Sequence, residues 1–201
     1  MLDAAARRLI DPPIDAMGRT LAGAGVTANG VTLGGLALGL ASAAVIAAGH
    51  PGWALAPLLA SRLLDGLDGA VARATRRTDF GGLLDIVCDF AFYGAVPFAF
   101  AVLDPAHAVP AAFLLLAFYV NGASFLATAT MAAKRGVQST AQGAKSLHYS
   151  AGLLEGTETI LFFVAICLVP GWFGPLAWAF GLLCLFTATA RILQARHAFG
   201  G

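Results

Sequence analysis

Charged side chains are scarce in this sequence. Of 201 residues, twelve are Lys or Arg and eleven are Asp or Glu, whereas 59% are apolar. The mean hydropathy of +0.80 lies well outside the range of soluble proteins. Because no polar stretch is long enough for a separate domain, the composition excludes a soluble protein and indicates a membrane protein.

Cysteine is equally rare. Cys88, Cys167 and Cys184 are widely spaced and form no C-x-x-C pair. All three fall within apolar segments, where a thiol commonly serves as a small hydrophobic side chain. We therefore assign the cysteines no function.

A secretory signal peptide is also missing. Residues 1–25 contain three aspartates, the pair Pro12-Pro13, which is expected to break a helix, and no continuous apolar core. Apolar residues instead recur at helical spacing between Leu2 and Ile10, beside two arginines. We interpret residues 1–25 as an amphipathic juxtamembrane segment on the inner leaflet, and residues 26–201 as the transmembrane domain.

Six segments are long and apolar enough to span a bilayer. Pro and Gly mark tight reversals between them, and the polar stretch Lys134–Ser146 predicts a longer loop. The predicted fold is therefore a polytopic, all-α membrane protein with six transmembrane helices and an N-terminal amphipathic helix at the interface. The predicted spans are Val31–Gly49, Trp53–Thr75, Phe80–Leu103, Val109–Ala133, Leu147–Val169 and Trp172–Leu193.

Basic residues fall on one side of this arrangement. They precede the first span, occupy the second-to-third and fourth-to-fifth connections, and end the chain, whereas the three opposite loops contain no Lys or Arg. The positive-inside rule then places both termini and the second-to-third connection in the cytoplasm. Arg62, within the second predicted span, is the exception.

Against this background, residues 65–89 contain an unusual group of acids. Asp65 and Asp68 lie three positions apart and Asp85 and Asp89 four apart, so each pair shares one face of a helix. Ionised carboxylates in hydrocarbon cost several kcal/mol each unless they are neutralised. The two pairs lie at similar depths in consecutive predicted spans. We therefore expect all four carboxylates to converge on a cavity open to the cytoplasm.

Oxygen-rich ligands without sulfur favour Mg²⁺ or Mn²⁺ over zinc. Four carboxylates are enough for two ions, which can clamp a pyrophosphate and stabilise charge while a phosphoester bond is exchanged. The alternative is a structural ion-pair network, for example between Asp65 or Asp89 and Arg62. That alternative leaves the excess of acids and the neighbouring glycines unexplained, so we interpret Arg62 as a support behind the ligands.

The spacing of these residues is D-x2-D-G-x2-A-R-x7-G-x3-D-x3-D. It resembles the signature of the CDP-alcohol phosphatidyltransferases, integral-membrane enzymes that move a phosphatidyl or similar group from a CDP-activated donor to an alcohol. The motif covers only residues 65–89. Its fixed positions are filled by Asp65, Asp68, Gly69, Ala72, Arg73, Gly81, Asp85 and Asp89.

The resemblance implies roles for the acids and for a donor site. Asp65, Asp68, Asp85 and Asp89 would bind metal, and Asp89 would also take the proton of the acceptor hydroxyl. The glycines would let the nucleotide approach the helix backbone, and the motif arginine would bind donor phosphate. The implied donor-binding residues are Asn29, Asp65, Gly66, Asp68, Gly69 and Arg73.

Asn29 belongs to a second, upstream resemblance. Residues 25–32 read G-V-T-A-N-G-V-T, similar to the family's segment leading into the first helix, where Thr-Pro-Asn is followed by a threonine. Ala28 replaces the usual proline and leaves Asn29 available to the nucleotide. Alternatively, Thr27 or Asn29 only caps a helix, and the sequence leaves both interpretations open.

The acceptor site has weaker candidates. Glu155 and Glu158 lie three positions apart in the fifth predicted span, level with the aspartates. They are candidates to bind acceptor hydroxyls or an ammonium group, or alternatively to pair with Arg62 or Arg191. Four basic residues are candidates for an acceptor phosphate, with membrane topology and lipid contact as their simpler role: Lys134, Arg135, Lys145 and Arg191.

We therefore expect an enzyme of phospholipid synthesis that uses Mg²⁺ or Mn²⁺. It would transfer a phosphatidyl group from CDP-diacylglycerol to a polar alcohol and release CMP, in a bacterial inner membrane and with no nucleic-acid partner. The family resemblance also implies a homodimer. The alternatives are a small CDP-alcohol donor in the same fold, or a divalent-cation transporter, which would favour acids across the full membrane depth.

Overall fold

The computed structural model describes residues 2–135 and 156–199, with side chains from residue 11 onward. Its regular elements in these ranges are helices, and no strand occurs among them, which confirms the all-α prediction. Short 3₁₀ turns, Pro105–His107 and Pro170–Trp172, precede two of the helices. The α-helices are α1 (Leu2–Gly23), α2 (Ala28–Ala47), α3 (Leu55–Ala74), α4 (Asp79–Leu103), α5 (Ala108–Lys134), α6 (Gly156–Leu168) and α7 (Phe173–Phe199).

Four stretches of the described chain are helical, long and apolar enough to cross a membrane. They are Ala28–Ala47, Asp79–Leu103, Pro105–Lys134 and Pro170–Phe199. α3 has 20 residues but carries charged side chains, and α6 has 13 residues within the described range. The first nine positions of the fifth predicted span lie outside the described residues. The described residues therefore contain four candidate membrane spans, as expected of a polytopic membrane protein.

α1 continues through Pro12 and Pro13, so the break expected there is wrong. The fixed φ of proline is compatible with a helix, and the cost is two lost amide donors and local crowding. Packing against α3 offsets that cost. Gly18 lies so close to α3 that a Cβ atom on it would be 2.5 Å from Ala70 Cβ.

α2 is the central helix around which the site forms. It packs against both α3 and α4, whereas α3 and α4 make almost no direct backbone contact with each other. Ser61 Oγ donates a 2.7 Å hydrogen bond to the Gly35 carbonyl. A Cβ on Gly39 would lie 2.6 Å from Phe92 Cδ2. Small residues thus bring α2 close to both partners, as is typical of helix packing in lipid.

The apolar core lies among the later helices. Phe92, Phe100, Phe163 and Phe173 are fully buried there. Phe100 stacks on Phe173 with ring centroids 4.5 Å apart and thereby joins the end of α4 to the start of α7. Many large apolar side chains elsewhere face outward, as expected for helices surrounded by lipid. Asp85 and Asp89 lie in the N-terminal half of α4, outside this core.

We expect Gly39→Ala to destabilise the fold, because the new Cβ would overlap the buried Phe92 ring. Overpacking of this kind lowers the free energy of unfolding by about 1–3 kcal/mol. Thermal denaturation of the purified protein in detergent measures the effect. The matched control is Gly52→Ala, because Gly52 is exposed and no atom lies within 4 Å of its Cβ position. Equal melting temperatures for the two variants would contradict the close packing of α2 on α4.

Candidate active site

Three of the predicted aspartates lie together between α3 and α4. One carboxylate oxygen each of Asp65, Asp85 and Asp89 lies within 4.8 Å of the other two. Asp85 and Asp89 are one turn apart on α4, and Asp65 faces them from α3. Mg²⁺ binds oxygen at about 2.1 Å, so it bridges oxygens up to about 4.2 Å apart. The three carboxylates, which are half-buried, fit a hard divalent cation after a small side-chain movement.

The fourth aspartate, Asp68, lies outside this group of three but lines the adjoining cavity together with Asp85. Asp68 is only 6% exposed and accepts a 2.6 Å hydrogen bond from Thr32 Oγ1 on α2. Residues three apart on a helix differ by about 60° around its axis, since each residue turns about 100°. Asp65 therefore reaches the carboxylates of α4 while Asp68 reaches α2. Three of the four carboxylates thus form one close group, and the fourth lies at the cavity beside it.

A cavity of about 300 Å³ lies next to the carboxylates. Its walls are the first turns of α2 and α4 and the last turns of α3, and a helix N-terminus favours an anion. Both acids and arginines line the cavity, so it offers groups that can bind cations and phosphates together. The lining residues are Ala28, Asn29, Thr32, Asp68, Gly69, Ala72, Arg73, Arg76, Arg77, Thr78, Gly81, Gly82 and Asp85.

The structure assigns different positions to Thr27 and Asn29. Thr27 is the N-cap of α2, and its side chain accepts a 3.2 Å hydrogen bond from the Gly30 amide. Asn29 lines the cavity. The motif glycine Gly81 makes this possible, because a Cβ on it would lie 3.3 Å from Asn29 Oδ1. Asn29 is thus free of the capping role that the sequence had left open.

The two motif glycines of α3 face different neighbours. Gly69 lines the cavity, where a Cβ would lie 3.3 Å from Arg73 Nη1. Gly66 is not among the lining residues, and a Cβ on it would lie 3.1 Å from Ile14 Cδ1 of α1. In this structure α1 therefore covers Gly66, the position at which a nucleotide contact was expected. The sequence offered no signal for that contact, because it depends on how α1 docks.

Arg73 also meets α1. Its Nε and Nη2 atoms donate hydrogen bonds of 3.1 and 2.6 Å to Asp15 Oδ1. The guanidinium remains at the cavity wall, about two-fifths exposed. Asp15 was not among the predicted site residues, although it now contacts the arginine expected to bind phosphate.

Arg62 is the cation inside the acid group. Its side chain is only 8% exposed, and Nη1 lies 2.7 Å from Asp89 Oδ1 and 3.4 Å from Asp65 Oδ1. Nη2 donates a 3.1 Å hydrogen bond to Ser61 Oγ. The guanidinium lies 3.9 Å above the centre of the Phe92 ring. The ion pair considered from the sequence is therefore present, alongside a carboxylate group that still suits a cation.

The acceptor candidates are spread over three helices. Arg191 of α7 donates hydrogen bonds from Nη1 to Asn121 Oδ1 at 2.9 Å and to Ser124 Oγ at 2.6 Å, which ties α7 to α5. Lys134 is the last residue of α5, and Glu158 lies in the first turn of α6. Glu155 and Lys145 lie outside the described residues.

This geometry agrees with the comparisons to known proteins. The family model for CDP-alcohol phosphatidyltransferases matches residues 25–190. The chain belongs to this family. It is therefore a membrane-embedded transferase of substituted phosphate groups, as the signature predicted.

Two relatives of this phosphatidyltransferase cover nearly its whole length. Inner membrane protein YnjF of Escherichia coli K12 is 46% identical over 193 residues, which are 96% of this chain and 94% of that protein. The crystal structure of Mycobacterium tuberculosis phosphatidylinositol phosphate synthase, PgsA1, with CDP-DAG bound matches with a TM-score of 0.72 at 21% identity. That match covers 91% of this chain and 93% of the other, and shows a shared fold.

We expect Asp85→Asn to weaken Mn²⁺ binding about tenfold or more, because it removes one charged ligand from the group of three carboxylates. Titration of the purified protein with Mn²⁺, followed by the electron paramagnetic resonance of the free ion, measures the affinity. The matched control is Asp79→Asn, which removes the exposed aspartate that begins the same helix. An equal loss of affinity in both variants would show that Mn²⁺ senses general surface charge instead of this site.

Proposed function

We propose that this phosphatidyltransferase moves the phosphatidyl group of CDP-diacylglycerol to a polar alcohol and releases CMP, with Mg²⁺ or Mn²⁺ as cofactor. The observation that carries the proposal is the group of three carboxylates next to a cavity whose lining includes both aspartates and arginines. A nucleoside diphosphate needs both, because divalent cations and guanidinium groups together balance its charge.

The donor would occupy the cavity with its phosphates between the acids and the arginines. Asn29 and Gly69 line the proposed nucleotide site, and Asp65, Gly66 and Asp68 complete it as the family signature implies. Arg73 would contact phosphate through Nη1, since Asp15 accepts from its Nε and Nη2 atoms. The match to a structure with bound CDP-DAG supports a lipid-linked donor, whose acyl chains would remain in the bilayer.

The motif aspartates would bind the metal ions and accept the proton of the acceptor hydroxyl. Asp65, Asp68, Asp85 and Asp89 would hold two ions, which when bound neutralise the diphosphate and stabilise the leaving CMP. The acceptor oxygen forms a bond to the phosphorus that carries the diacylglycerol group. The bond from that phosphorus to CMP breaks, and the hydroxyl proton passes to Asp89.

The proposed setting is a bacterial inner membrane, in which α3 and α6 also cross the bilayer and raise the number of spans to six. The cavity carries Arg73, Arg76 and Arg77, so the positive-inside rule supports a cytoplasmic site and cytoplasmic termini. Residues 1–25 would lie along the inner leaflet, and residues 26–201 would form the catalytic domain. Family resemblance supports a homodimer.

The acceptor is proposed by class only. Glu155 and Glu158 would bind hydroxyl or ammonium groups of a polar alcohol, whereas Lys134 and Arg191 would favour a phosphorylated one. In this structure Arg191 already bonds to Asn121 and Ser124. A direct comparison of acceptors therefore decides between the two classes.

We expect the purified protein in nanodiscs to release CMP from CDP-diacylglycerol only with Mg²⁺ or Mn²⁺ and one acceptor from a panel. The panel is glycerol phosphate, inositol, inositol phosphate, serine, choline and ethanolamine. Asp89→Asn should still bind CDP-diacylglycerol but lose about a hundredfold or more in turnover, the usual contribution of a general base.

The matched control is Asp104→Asn, at the far end of α4, where Asp104 Oδ1 accepts a hydrogen bond from the Ala106 amide. It should keep its turnover. Release from CDP-choline but not from CDP-diacylglycerol would favour the small-donor alternative. Absence of metal-dependent release from either donor would contradict the proposed reaction.

We also expect Thr32→Val to lower turnover about tenfold, because Asp68 would lose the hydroxyl that orients it. The matched control is Thr130→Val. Thr32 Oγ1 lies 3.1 Å from the carbonyl oxygen four residues earlier, and Thr130 Oγ1 lies 2.8 Å from its own, but Thr130 is exposed and is not among the cavity residues. The control therefore removes a hydroxyl in the same position relative to the helix backbone. Equal turnover in the two variants would contradict a role for the Thr32–Asp68 contact.

A further inference from the structure

We propose that Arg62 is a positioning residue that fixes the carboxylate of Asp89 and limits how tightly the acid group holds divalent cations. This inference rests on the proposed function, in which Asp89 accepts the proton of the alcohol. Arg62 is not part of the family signature found in residues 65–89. Its role is inferred from its contacts in this chain.

The first observation is how Arg62 meets the acids. Nη1 donates a 2.7 Å hydrogen bond to Asp89 Oδ1 and lies 3.4 Å from Asp65 Oδ1. One oxygen of Asp89 is therefore engaged by a buried cation, and that bond restricts the rotation of the carboxylate. A base that shares its carboxylate with metal ions needs such a restraint, because otherwise both oxygens can turn towards the ions.

The second observation is how firmly Arg62 itself is held. The Nη2 atom donates to Ser61 Oγ, and that hydroxyl donates to the Gly35 carbonyl of α2. On its flat side the guanidinium rests 3.9 Å above the centre of the Phe92 ring of α4. The absence of a side chain at Gly39 leaves room for that ring. Contacts from α2, α3 and α4 thus fix one orientation of the guanidinium.

This arrangement requires arginine in particular. A planar guanidinium can stack on an aromatic ring and direct separate N–H groups to two partners, whereas a lysine ammonium is a compact point charge. Lysine at position 62 would keep the positive charge but lose the geometry. The two contributions of Arg62, charge and orientation, can therefore be separated by substitution.

Charge makes the proposal distinguishable from a purely structural role. A fixed cation beside Asp65 and Asp89 repels divalent cations, so its removal should increase Mn²⁺ affinity. A variant whose site has simply collapsed would lose Mn²⁺ affinity together with turnover. The direction of the change in Mn²⁺ affinity thus separates the two roles.

The experiment compares wild type, Arg62→Gln, Arg62→Lys and Arg196→Gln in CMP release at saturating Mn²⁺ and in Mn²⁺ titration by electron paramagnetic resonance. Arg62→Gln should lose about tenfold to a hundredfold in kcat, with a Kd for Mn²⁺ below that of wild type. Arg62→Lys should keep wild-type Mn²⁺ affinity and recover only part of kcat. Arg196 is exposed in the last turn of α7, and its variant should match wild type.

A double mutant tests whether Arg62 acts through Asp89. In the Asp89→Asn background, Arg62→Gln should change the residual rate by less than about twofold, because the positioned group is already gone. Independent losses that multiply would overturn the inference. So would wild-type kcat in Arg62→Gln or in Arg62→Lys, or a loss of Mn²⁺ binding in Arg62→Gln that parallels the loss of kcat.

If Arg62→Gln fails to give a monodisperse protein, Arg62→Met replaces it as the variant that removes the charge, and Arg62→Lys still tests the orientation. Failure of the proposed function gives a different result, in which wild type itself releases no CMP with any acceptor or donor. In that case the Mn²⁺ titrations still test the effect of Arg62 on the acid group. A Kd for Mn²⁺ in Arg62→Gln that equals or exceeds that of wild type would then overturn the inference.

Discussion

The rest of this structure depends on the free-energy cost of placing ionised carboxylates among apolar helices. Each of the four motif aspartates, Asp65, Asp68, Asp85 and Asp89, needs a partner, because an isolated charge in a medium of low dielectric constant is expensive. Arg62 partners Asp89 and Asp65, and Thr32 partners Asp68. Among the described residues, Arg62 is the one basic side chain paired with these four acids, and the remaining negative charge is the physical reason to expect cations at the site.

Cations that balance this excess need space beside the acids, and the position of α2 provides that space. The helix packs against α3 and α4 at once, so the two helices that carry the acids are held on either side of it instead of against each other. Gly35 and Gly39 make this close packing possible, since in lipid helices associate mainly through tight contact between small residues. The opening between α3 and α4 then contains the carboxylates and the neighbouring cavity. Core packing and site geometry therefore depend on the same residues of α2.

Sequence periodicity predicted the parts of the site that depend on one helix at a time. The four-residue spacing of Asp85 and Asp89 placed both on one face, and the signature identified the family that the comparisons confirmed. Side-chain direction across helices was less predictable. The divergence of Asp65 from Asp68, and the binding of Arg191 to α5, depend on the rotation of each helix against its neighbours. The continuity of α1 through its prolines likewise depends on packing with α3.

α1 packs directly on α3, the helix that carries the first part of the signature. Ile14 and Gly18 lie one turn apart on α1; the first covers Gly66, and the second fits against Ala70. Between them, Asp15 binds Arg73. An N-terminal segment that only anchored the chain to the membrane surface would not need to meet this helix so closely. Because Asp15 and the donor phosphate would share one guanidinium, the charge available to the donor depends on α1. The N-terminal segment, which the sequence had set apart as juxtamembrane, therefore packs directly on the helix that carries Asp65 and Asp68.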